Sequence, residues 1–118
     1  MMYGLSLAQE FPMPTYLWRA SYNAAGTKGL MKEGGAKRRD AVQQMVAKGG
    51  GKLVAFYYAI GDADVYAITD FPDAATAVAF SMAINASGTV TIKTTLLLTP
   101  EEMDAATKKT IEYRPPGA

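Results

Sequence analysis

Two cations, Arg19 and Lys93, interrupt stretches otherwise built from apolar and hydroxyl side chains, TYLWRASY and TVTIKTTLLL. If both stretches are strands whose cations face a cavity, Arg19 and Lys93 can hold a small anionic molecule. Tyr57 and Tyr66, in the aromatic runs AFYYAI and VYAITDF, would then stack on it or hydrogen-bond to it. The opposing reading sends both charges to water at a sheet margin, with their stems covering apolar surface. A second grouping is Gly61-Asp62-Ala63-Asp64. Its carboxylates resemble part of an oxygen-ligand loop for calcium, but the third ligand and distant glutamate of such a loop are missing. Glycine and aspartate are ordinary turn residues, so the tetrad reads as a hairpin turn and no metal is expected. A third grouping, Lys37-Arg38-Arg39 with Lys32 nearby, could touch phosphate. Glu33 and Asp40 flank it and no aromatic platform is interleaved, so it reads as a solvated helix face.

Composition narrows the chemistry further. The 118 residues contain no cysteine and no histidine. Disulfides, thiolate catalysis, the usual zinc sites, histidine-ligated haem and triads built on histidine are therefore excluded. Carboxylates, Lys, Tyr, Ser, Thr and backbone groups remain, and no cofactor is implied. A formal net charge of +1 gives no long-range field for nucleic acid or an anionic membrane. No apolar run approaches the roughly 20 residues a membrane helix needs. The start, MMYGLSLAQEFP, lacks a basic leader and makes a poor signal peptide; residues 1–12 read as a flexible extension. A cysteine-free chain suits the cytoplasm.

The elements that would position these residues follow from periodicity and punctuation. Thr15 to Tyr22 reads as a strand. Asn23 caps a helix that breaks at Gly34-Gly35, since two glycines cost roughly 2 kcal/mol against alanine. A second helical part runs from Ala36 to Lys48 and ends at Gly49-Gly50-Gly51, read as left-handed backbone. Strands follow at Lys52–Ile60 and Val65–Phe71. Asp73 caps a helix to about Ser87, Thr89 to Leu98 is a fourth strand, and Thr99-Pro100-Glu101-Glu102 opens a last short helix. The order β-α-β-β-α-β plus a terminal helix predicts a single α+β, ferredoxin-like domain over residues 13–118.

The hairpin register carries the expectation of self-association. With Gly61 to Asp64 as the turn, Ile60 pairs with Val65, Tyr58 with Ala67 and Tyr57 with Ile68. One face then holds Val54, Phe56, Tyr58, Ile60, Val65 and Ala67, and the other Leu53, Ala55, Tyr57, Ala59, Tyr66 and Ile68. Both are apolar, whereas a sheet with helices on one side should have a polar second face. A second copy of the chain is the simplest cover. After its cap Asp73, the helix to about Ser87 carries no charge, as the sequence has none from Ala74 through Ile92, and this points to burial as well.

Several separated blocks are similar to the GYD-domain family: MPTYLWRASYNAAGTKGLMKEGG, the segment through AFYYAIGDADVY, NASG to LLTPEE, and YRPPGA. The family's naming turn usually carries a tyrosine between the acids, where this chain has Ala63. The resemblance implies a ferredoxin-like fold of the dimeric α/β-barrel kind, in bacterial proteins without an established activity. Two functional classes stand open: a homo-oligomeric module that binds a small ligand or simply assembles, and a cofactor-independent monooxygenase- or isomerase-like enzyme working between paired sheets.

Overall fold

A computed structural model describes residues 13–118, so the extension expected at residues 1–12 lies outside the described residues. The elements are β1 (Thr15–Tyr22), α1 (Ala24–Glu33), α2 (Gly35–Lys48), β2 (Lys52–Tyr58), β3 (Val65–Asp70), α3 (Ala74–Ala86), β4 (Val90–Leu97) and α4 (Pro100–Thr107). The strands form one antiparallel sheet in the order β2-β3-β1-β4. This is the interleaved arrangement expected of a ferredoxin-like α+β domain.

Local chemistry sets the boundaries. The Asn23 side chain accepts from the Gly26 amide at 2.9 Å and starts α1. Asp73 accepts from the Thr76 amide at 2.8 Å and starts α3. The Thr76 hydroxyl, donating at 2.7 Å, and then that amide hold the Asp73 carboxyl below its usual range. Thr99 and Glu102 form a reciprocal capping box under Pro100 at the head of α4. Between α1 and α2, Gly34 sits at φ 90°, ψ 157°, a backbone conformation essentially reserved for glycine. Of the three glycines after α2, only Gly50 is left-handed. Gly51 serves a different purpose: a Cβ there would stand 2.6 Å from the Asp70 carbonyl oxygen.

The core lies between the sheet and its helices. Tyr16, Trp18 and Ala20 of β1 alternate inward, as do Val65, Ala67 and Thr69 of β3. They meet Val42 and Val46 of α2 and Ala77 of α3. Phe71, fully buried just after β3, stacks on Phe80 of α3 with ring centroids 4.9 Å apart. Asn85 of α3 accepts from the Ile92 amide at 2.8 Å and donates to the Ile92 carbonyl at 3.3 Å. That pair covers the edge strand's backbone at one point.

The hairpin is longer than the sequence suggested. Val65 pairs with Tyr58 rather than Ile60, and Ala59 to Asp64 form the loop. A bulge between Leu53 and Ala55 puts Leu53 opposite inward-facing Thr69. The expected second face keeps Ala55, Tyr57, Tyr66 and Ile68, and loses Leu53 to the core side. In the single chain α3 also leaves an uncharged surface open, with Val78 55% and Met82 66% exposed.

Candidate functional site

The ladder brings the four sequence-predicted residues into one line. Tyr57 of β2 pairs with Tyr66 of β3, Tyr66 with Arg19 of β1, and Arg19 with Lys93 of β4. Each belongs to the alternate set that points away from the helices. With strands about 4.8 Å apart, the row crosses roughly 14 Å of sheet. Tyr57 is 71% exposed, Arg19 and Lys93 are exposed, and Tyr66 is half-buried. Arg19 and Lys93 are directly opposite each other, an arrangement that costs energy for like charges. The one ion pair among the described residues joins neighbouring Arg39 and Asp40, so neither cation of the row is neutralised by it. Within the paired ladder the carboxylate on that face is Asp70, two rows away, which accepts from the Thr15 hydroxyl at 2.6 Å; Asp64, just beyond the ladder's end, accepts from the Tyr22 amide.

The tetrad has a structural task. The Asp64 carboxylate accepts from the Tyr22 amide at 2.8 Å, and the Asp64 amide donates to the Ala20 carbonyl at the same distance. The loop is thereby fastened to the end of β1. Ala63, at the place of the family's tyrosine, is buried at 6% exposure. No cluster of three or more carboxylates suited to a metal occurs among the described residues.

The other side of the sheet holds an arrangement that the local pattern did not reveal. Between α2 and α3 lies a cavity of about 520 Å³. Its floor includes Trp18, Ala20 and Ile92, and its walls Val46 of α2 and Ile84 of α3. Tyr22 and Arg38 border it, and both also line an adjoining hollow of about 250 Å³ beside Glu33. Burial raises the Tyr22 phenol above its ordinary value, against the pull of the Arg38 guanidinium. Burial raises Tyr58 also, and its hydroxyl donates to the Gly35 carbonyl at 2.9 Å. Both phenols therefore keep their protons at neutral pH. The sequence offered only the residue types here; a weak signal was Trp18, the chain's single tryptophan, inside a strand.

No helix among the described residues is long and apolar enough to cross a membrane. No curated protein and no solved structure matches the chain. The GYD domain model matches residues 16–107, from the second residue of β1 to the end of α4. That span takes in all four strands and every residue of the row, and it places the chain in the GYD domain family.

Proposed function

We propose that the protein is a self-associating binding module: two copies close on each other through their open sheet faces, and the Tyr57–Tyr66–Arg19–Lys93 row holds a small anion in the space between. The observation that carries this reading is the direct opposition of Arg19 and Lys93 with no carboxylate in their row. Closing such a face removes water from both cations, and an uncompensated buried charge is costly. An anion supplies the missing counter-charge, and the flanking tyrosines offer ring faces and hydroxyls to it. The apolar remainder of the face, Ala55, Ile68 and Leu17, supplies the attraction between copies. The absence of cysteine suits work in a reducing compartment.

Light scattering at micromolar concentration should give at least twice the chain mass of 12.6 kDa. Thermal melting with added sodium phosphate or oxalate should rise with anion concentration, as mass action requires. Lys93→Ala should reduce that rise without unfolding the chain. A monomer mass defeats the association. An anion that protects the Lys93→Ala variant as well as the native chain removes the row from the site.

A further inference from the structure

The cavity on the helix side of the sheet has the makings of a second, separate binding site. Its lining is dominated by Trp18, Val42, Val46, Phe80 and Ile84, so its interior is apolar. Its charged lining residues are both cations, Arg38 and Lys48 of α2. Two acids act on Tyr22 at its border, Asp64 and Glu33, and neither lines the cavity itself. At the floor, Trp18 is only 4% exposed, and its Nε1–H has no hydrogen-bond acceptor. A hydrocarbon surface accepts no hydrogen bond, so this N–H stays unpaired whether the cavity is empty or filled, and the lining's apolar area and its cations define the ligand. Among the described residues Thr69 is the other buried side chain with an unpaired polar atom, but it does not line this cavity.

We propose that the cavity between α2 and α3 binds an apolar monocarboxylic acid, with its hydrocarbon body on the Trp18 floor and its carboxylate at Arg38. The volume fits such a body, since small-molecule sites begin near 300 Å³. Charge chooses the head group. A carboxylate meets Arg38 in the fork geometry a guanidinium favours, with the protonated Tyr22 phenol beside it as a second donor. An ammonium head would meet two like charges, and an alcohol would gain only a neutral hydrogen bond. The site lies on the opposite side of the sheet from the Arg19–Lys93 row and stands independently of that row's function.

Trp18 makes the test direct, because it is the chain's sole tryptophan and lines the cavity. Titrating the full chain with decanoate should change Trp18 emission saturably. Decanol should bind about tenfold more weakly, and decylammonium more weakly still. Arg38→Gln should bring decanoate down to the affinity of decanol while leaving decanol unchanged. Ala83→Phe, which adds bulk at the wall of the cavity, should weaken both probes in a chain whose far-ultraviolet circular dichroism is native. An emission unmoved by decanoate at millimolar concentration overturns the proposal. So does equal affinity for decanoate and decanol in the native chain, or a preference for decanoate that survives Arg38→Gln.

Discussion

At the scale of single residues, the chain places its phenols where protons matter. Tyr22 and Tyr58 both have raised pKa values, chiefly through burial. A phenol with a raised pKa binds its proton more tightly in the folded chain. The associated stability is complete below the unfolded value near 10 and is lost as pH climbs through the folded value. Urea unfolding should therefore show a decline in stability that begins above about pH 10. Tyr22→Phe should flatten that decline, and an unchanged alkaline profile would exclude Tyr22 as its source. Arg38 shows what residue-level reading missed. Flanked by Lys37, Arg39 and Asp40, it reads as part of a solvated helix face. Docked on the sheet, α2 sets it beside Tyr22, sixteen positions earlier in the chain, and no local pattern encodes that meeting.

At the scale of elements, caps and glycines made the boundaries legible. Asn23, Asp73 and Thr99 each cap as their chemistry predicts. The break at Gly34 yields a sharp expectation. Its φ of 90° rejects a side chain, although a Cβ at that position would meet no atom within 4 Å. Gly34→Ala should cost about 1–3 kcal/mol of stability in urea unfolding. Gly29→Ala, inside α1 with equally open surroundings, should instead gain about 0.5–1 kcal/mol. Equal effects at the two glycines would show that φ is not what distinguishes them. The hairpin register was less legible, for a physical reason. Side chains alternate with a period of two, so moving Val65 from Ile60 to Tyr58 leaves every residue on the same face. Periodicity cannot distinguish the two registers. The bulge at Leu53–Ala55 leaves no mark on composition either, yet it moved Leu53 to the core.

For the whole molecule, the two proposed sites lie on opposite sides of the sheet, and their independence is testable. Ile68 belongs to the open face, in the row beside Tyr66 and Arg19. Ile68→Asp should reduce the mass measured by sedimentation to that of a monomer while leaving the decanoate-induced change in Trp18 emission intact. If association and decanoate binding fail together, the sheet transmits one site's state to the other and the sites are not independent. The C-terminal portion adds a further surface. All residues from 98 to 118 are exposed in the single chain, including Ile111 at 76% and Tyr113 at 75%. An eight-residue helix such as α4 gains little from its own hydrogen bonds, so its capping box matters more than packing within this chain.

Alternation, capping residues and glycine punctuation were enough to specify an antiparallel α+β domain, the order of its elements and the shared face of Tyr57 and Tyr66; the ladder added Arg19 and Lys93 to it. The sequence signals are local regularities, set by backbone geometry over a few residues. Tertiary packing decided the rest: the row that sets Arg19 against Lys93, the loop fastened by Asp64, and the chamber where Trp18 and Arg38 meet. Those features join residues from separate elements, and their distances are fixed only when helices dock on the sheet.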